Sequence, residues 1–226
     1  MTELRKKNRA VLRLEFAKWW MLLGLRRMGF KFADRVIKLT EITEPSFFRD
    51  TIASFEGTFV DVGASNGHYI LLAKNARHVV AFEPDPRFWG TLAPLGESGR
   101  CEIRHEAVSD KVGQVEFNLS AGLFGSRMGK RVIGRTYERV ARPATTLDSL
   151  SIPEGPVLVK MDTEGAEHLI LMGGREFIEK YHPTLLIEYH RNLRAVLREL
   201  SVHHYGYTGN TQRRMGWIKA EPARPA

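Results

Sequence analysis

Two stretches of the chain end in side chains able to move a proton. In VKMDTEGAEH (159–168) an apolar run breaks off into three carboxylates, Asp162, Glu164 and Glu167. In TLLIEYH (184–190) a second apolar run ends in Glu188 and His190, two residues apart and so on the same side of an extended strand. Histidine titrates near neutrality, and neighbouring acids orient it and stabilise its charged form. Asp162, Glu188 and His190 therefore suit removal of a hydroxyl proton, with Glu164 as a further acid at the start of the following helix. The same oxygen and nitrogen donors suit a divalent metal, which stands as an alternative and is not the expectation. Glu167, in the first helical turn, reads as a capping residue.

A third acidic constellation lies earlier. FVDVGASNGHY (59–69) places Asp61 at a strand end, followed by Gly63 and Gly67 at the opening of a helix. A dinucleotide fingerprint anchored on Gly63 needs glycines at 65 and 68, and those positions hold Ser65 and His68. What remains is a tight turn that lets a ligand approach the backbone, beside an acid that favours a cationic group. Glu83 ends the next strand, where a carboxylate accepts hydrogen bonds from two ribose hydroxyls. An adenosine with a positive tail fits this pair better than NAD, and S-adenosylmethionine is such a molecule.

These residues need elements to hold them. TFVDVG (58–63), HVVAFEPD (78–85), PVLVKMD (156–162) and TLLIEYH (184–190) read as parallel strands, with helices at about 67–75, 86–95, 165–180 and 191–200. The alternation predicts an α/β, doubly wound, mostly parallel sheet, in which ligands sit beyond the carboxyl ends of the strands. The acids above all fall there. GQVEFNLS (113–120) and RVARPATTL (139–147) read as antiparallel partners, and the basic, glycine-punctuated loop between them is long enough to be a lid.

Composition sets the outer bounds. The 226 residues suffice for one catalytic-sized domain with a small extension. Cys101 is the only cysteine, which excludes an internal disulfide and a cysteine-built zinc cage and points to a reducing, cytoplasmic setting. The net charge of +8 resembles a nucleic-acid signal until it is located. Residues 1–31 carry nine bases against two acids, a surplus of +7, so the remainder is near neutral and nucleic acid is not an expected partner. That basic segment reads as helical. It either packs on its own core or on a second copy in a homodimer, or it lies on the anionic inner face of a membrane, with Trp19 and Trp20 at the interface.

Taken together, FVDVGASNGHY, AFEPDP, HEAVSD, TTLDSL, VKMDTEGAEHLILMGG and LLIEYH resemble the FkbM family of S-adenosylmethionine-dependent methyltransferases. The resemblance runs from about residue 44 to 207. It implies a class I methyltransferase fold, a Rossmann-like domain over 44–226 preceded by a basic helical extension at 1–43. It implies O-methylation, often of a hydroxyl in a saccharide, glycan or natural product. It also implies that Asp61, Gly63, Ala64, Asn66 and Gly67 surround the methionine part of the cofactor. Glu83 would hold the ribose with Pro84 beside it, Glu106 and Ala107 would lie against the adenine, and Asp162 would face the cationic methionine moiety and the acceptor. Two other readings compete. RNA ribose methylation usually relies on a lysine-rich catalytic set, and LLIEYH ends without a lysine. The other is a binding module that has kept the cofactor fold and lost the chemistry.

Overall fold

The computed structural model describes residues 45–99, 101–120, 127–128, 137–190, 192–209 and 215–223. The basic segment at 1–31 and most of the expected lid lie outside them. Among the described residues, no helix is long and apolar enough to cross a membrane.

The chain opens with α1 (Ser46–Ser54), β1 (Thr58–Val62), α2 (His68–Leu72), β2 (His78–Phe82), α3 (Pro86–Glu97) and β3 (Glu102–Arg104). Then come β4 (Ala107–Val108), β5 (Gly113–Ser120), β6 (Arg127–Met128) and β7 (Tyr137–Thr145). The second half holds β8 (Val157–Asp162), α4 (Glu167–Met172), α5 (Arg175–Tyr181), β9 (Thr184–His190), α6 (Leu193–Val202), β10 (Tyr205–Gly209) and β11 (Met215–Pro222). Seven strands form the main sheet in the order β10-β11-β9-β8-β1-β2-β3. The five strands from β9 to β3 are mutually parallel, and β11 runs antiparallel beside β9. The expected doubly wound α/β sheet is therefore present, with an antiparallel C-terminal pair that the sequence reading did not contain.

Strand alternation explains how the sheet is covered. Val60, Val62, Val159, Met161, Leu185 and Ile187 point to one face, where α4, α5 and α6 supply Ile170, Leu171, Phe177, Ile178, Val196 and Leu200. Phe59, Leu158 and Leu186 point to the other, against Phe48 and Ile52 of α1, Ile70 of α2 and Phe88 and Leu92 of α3. Burial on both faces is why these strands read as continuous apolar runs. On the second face the pattern turns polar towards the carboxyl ends: Leu158 is followed at two-residue steps by Lys160 and Asp162, Leu186 by Glu188 and His190, and Phe59 by Asp61. The apolar floor of this face thus becomes charged where a ligand would sit.

Three boundaries differ from the sequence reading. The helix expected at 165–180 is two helices, because the chain leaves helical dihedrals at Gly173 (φ −87, ψ 11) and Gly174 (φ −126, ψ 20). A Cβ on Gly173 would lie 2.2 Å from the Ser109 carbonyl oxygen. The helix expected at 67–75 is the five-residue α2. The strand expected at 78–85 ends at Phe82, and Asp85 caps α3 by accepting from the Arg87 N–H. The insertion follows expectation in part: β5 pairs antiparallel with β7 from Gly113 opposite Ala144 to Ser120 opposite Tyr137.

Candidate functional site: an acidic cleft at the carboxyl edge of the sheet

The turn after β1 is built by backbone. Gly63 has φ 83, in the left-handed region, and both its N–H and that of Ala64 donate to the Phe82 carbonyl at 3.0 Å. A Cβ on Gly63 would sit 2.0 Å from the Asp162 carbonyl oxygen, so the turn lies directly on the end of β8. Gly67 (φ 80) opens α2, and the Asn66 side chain accepts from the His68 N–H at 3.1 Å. Glu83 closes the turn from the next strand. Its Oε2 accepts from the Ser65 N–H at 2.7 Å and its Oε1 from the Asp85 N–H at 2.8 Å. Burial pushes the Glu83 carboxyl up to about 7, against the pull of those two backbone donors. A carboxylate offers about four acceptor positions, so two remain for hydroxyls.

Beside this turn lies an open cleft of about 690 Å³, mouth included. Val62, Phe82, Phe88, Val108, Phe117 and Met128 give it apolar walls. Glu83, Asp85, Glu106, Asp162 and Glu164 give it five acidic residues, and no lysine, arginine or histidine is among its described lining. Arg87 forks onto Asp85 behind the wall, with Nε 2.9 Å from Oδ1, and reaches across to the Ser120 carbonyl, tying α3 to the end of β5.

At the far end of the cleft the β8 and β9 termini meet. Asp162 and Glu188 are register partners, and one ligand atom each of Asp162, Glu188 and His190 lies within 4.8 Å of the others. His190 Nε2 is 3.7 Å from both Glu188 Oε1 and Glu164 Oε2, so Glu164 rather than Asp162 is its second acidic neighbour. Glu164 has a left-handed backbone (φ 60) and lies three residues before the helix, which starts at Glu167 rather than at 165 as expected. The Nδ1 of His190 is buried without a hydrogen-bond partner, and Nε2 is the ring nitrogen that faces the two acids.

The loop that carries Glu164 is pinned by Glu167. This fully buried side chain accepts from the Thr163 N–H, the Thr163 hydroxyl and the Gly165 N–H at 3.0–3.1 Å, and from Asn192 Nδ2 at 2.7 Å. Asn192 also donates to the Gly165 carbonyl and accepts from the His190 N–H, joining both acidic strand ends.

Burial and then the adjacent Asp162 push the Glu188 carboxyl up to about 9, so it keeps a proton at neutral pH and shares a hydrogen bond with Asp162. The Trp217 indole, opposite Glu188 in the β11–β9 register, pulls the other way but closes no well-aligned hydrogen bond. Because the folded-state value is raised, the contribution of Glu188 to stability is fully present below pH 4.5 and is lost as pH rises towards about 9. Thermal melts of the ligand-free protein are expected to drop across that window, and Glu188→Gln is expected to flatten the drop. An equal slope in both proteins would contradict this placement of the proton.

Apart from Asp61 and the Glu188–His190 pair, the sequence-predicted residues divide into two groups. Gly63, Glu83, Pro84, Glu106, Ala107, Asp162 and Glu164 line the cleft. Ala64, Asn66 and Gly67 shape the turn without lining it: Ala64 is buried in the apolar cluster, and Gly67 packs near Leu92 and Leu95. The expectation that Asp61 faces a cationic ligand is corrected. It is fully buried, and its counter-charge is Lys160, with Nζ 3.0 Å from Oδ1. Lys160, Asn192, Trp217 and the cleft-lining Phe88, Phe117 and Met128 were not read from the sequence. Only the two-residue step from Lys160 to Asp162 hinted at any of them.

The comparisons agree with this geometry. The family model for the methyltransferase FkbM domain matches residues 61–208. A crystal structure of methyltransferase FkbM from Methylobacillus flagellatus KT superposes with a TM-score of 0.55 at 22% identity, covering 77% of this chain and 46% of that one. This chain thus spans less than half the length of that protein. A ribosomal protein L11 methylase from Lactobacillus delbrueckii subsp. bulgaricus gives a TM-score of 0.48 at 8% identity over 79% of this chain and 76% of its own. An rRNA methylase from Streptococcus thermophilus gives 0.47 at 13% identity over 79% and 93%. No curated protein sequence matches. A family match over most of the chain, on a mostly parallel sheet with an acidic cleft at its carboxyl edge, makes this chain a member of the FkbM methyltransferase family.

Proposed function

We propose that the chain is an S-adenosylmethionine-dependent O-methyltransferase acting on a hydroxyl of a saccharide, glycan or natural product. The observation that carries this reading is the charge of the cleft: five acidic residues and no cation among its described lining. The described lining offers no cation to a pyrophosphate. It favours a ligand with a sulfonium and an ammonium. The other parts fit the same molecule. Glu83 has acceptor capacity left for two ribose hydroxyls, and Phe82, Phe88 and Val108 offer an apolar slot beside Glu106 and Ala107.

When bound, the cofactor supplies an electrophilic methyl group. The chain's own residues align the acceptor oxygen and remove its proton. His190 takes that proton at Nε2, and the Glu164 carboxylate 3.7 Å away stabilises the imidazolium, while the Glu188 carboxyl at the same distance keeps its own proton. Asp162 belongs to both the cleft and the proton-transfer cluster, so it orients the acceptor against the methyl donor.

The test of the cofactor assignment is Glu83→Ala. Loss of two charge-assisted hydrogen bonds is expected to weaken S-adenosylmethionine binding by about 1.5–3 kcal/mol, or roughly 10- to 150-fold, in calorimetric titrations. Glu83→Gln, which still fills the space between the Ser65 and Asp85 amides, separates this effect from collapse of the turn. Unchanged affinity in both variants would remove the ribose role.

A further inference from the structure

We propose that Lys160 is a positioning residue of the cofactor cleft: its ammonium holds the Gly63 carbonyl and so fixes the glycine turn relative to the strand end that carries Asp162. The inference rests on the reading of the cleft as an S-adenosylmethionine site. Lys160 is 1% exposed and Asp61 is not exposed at all, so an ion pair stands in the middle of the sheet. Buried pairs of this kind are poor stabilisers, and neutral replacements of similar volume are often tolerated. Stability alone is therefore a weak reason for placing one here.

The geometry supplies a better reason. Lys160 Nζ donates to the Gly63 carbonyl at 2.8 Å, whereas its 3.0 Å approach to Asp61 leaves both carboxylate oxygens without a well-aligned hydrogen bond. The ring of Tyr69, on α2, lies 4.7 Å from the same ammonium and confines it from the side. Burial works against the charge of Lys160, but Asp61 and then Asp162 raise its pKa, so it remains a cation. Gly63 lines the cleft and lies against the Asp162 carbonyl, and Asp162 stands two residues beyond Lys160 on the same face of β8. One side chain thus joins the turn at the methionine end of the cleft to the strand that serves the acceptor.

The test compares three full-length proteins by thermal melting and by calorimetry with S-adenosylmethionine and S-adenosylhomocysteine: wild type, Asp61→Asn, and the double variant Asp61→Asn with Lys160→Met. The double variant removes both buried charges together. It is expected to melt near wild type while losing about ten-fold or more in affinity for both ligands. Asp61→Asn alone keeps the ammonium on Gly63 and is expected to retain clearly more affinity than the double variant. Wild-type affinity in a folded double variant would overturn the proposal, as would an equal loss in Asp61→Asn alone, which would assign the effect to the carboxylate. A double variant that fails to fold would overturn it too, because Lys160 would then be holding the sheet rather than the turn. Failure of the wild type to bind either ligand would instead remove the cofactor reading on which the proposal rests.

Discussion

Replacement of His190 by alanine is expected to slow methyl transfer by about 10²–10⁴-fold, with S-adenosylmethionine affinity nearly unchanged. The separation follows from position. His190 is not among the residues lining the cleft, and its Nε2 faces Glu164 and Glu188 at 3.7 Å. It can therefore touch an acceptor without touching the cofactor. Asp162→Asn is expected to reduce both binding and rate, because Asp162 belongs to the cleft and to the cluster. A specific observation keeps the metal alternative in view, since Asp162, Glu188 and His190 bring ligand atoms within 4.8 Å of one another. That alternative gives a different result: chelation would abolish transfer by the wild type and a divalent ion would restore it. A near-normal rate in His190→Ala would pass the proton to Glu188 or Asp162.

The second large effect is expected from Gly63→Ala. Alanine would hold a strained φ of 83 and place its Cβ 2.0 Å from a carbonyl oxygen of β8. Strain and overpacking each cost about 1–3 kcal/mol, so together they would lower the melting temperature by on the order of 10 °C. Any relaxation must part the β1 and β8 ends, so cofactor binding should disappear in whatever fraction remains folded. Gly67→Ala provides the contrast. Its φ of 80 is also unfavourable, but the nearest obstacles are the side-chain ends of Leu95 and Leu92, which can move. A Gly63→Ala protein as stable as wild type would mean that the two strand ends are not in contact.

The central strands and the acids at their ends were legible in the sequence because burial on both faces leaves an unbroken apolar run and a ligand site interrupts it at one end. Asp162, Glu188 and His190 could be brought together on that basis alone, since adjacent parallel strands end at the same edge. Lys160 could not be placed in the same way. Inside VLVKMD it looks like a tolerated surface residue, and its partners Asp61 and Gly63 belong to a strand far away in the chain. Asp61 was misread for the same reason: an acid beside a glycine turn suits a cationic ligand or a buried lysine, and nothing local distinguishes them. Glu164 was assigned to a helix start because Gly165 after it left its left-handed backbone undetected. The β10–β11 pair escaped because YGYTG and MGWIKAEP lack a sustained alternation, and that hid Trp217 next to Glu188. In LILMGGREF the two glycines permit a break without requiring one. The close approach of the Ser109 carbonyl to Gly173, which leaves no room for a Cβ, exists only in the folded chain.

Calorimetric titration of the full-length wild-type protein with S-adenosylmethionine near pH 8 tests the central claim most directly. A cleft lined by acidic residues, with Glu83 able to accept from a ribose, predicts one binding site per chain and a dissociation constant in the range of roughly 1 μM to 1 mM that enzymes commonly show for their substrates. No binding heat at concentrations up to about 1 mM, confirmed by the absence of any thermal stabilisation, would contradict the account.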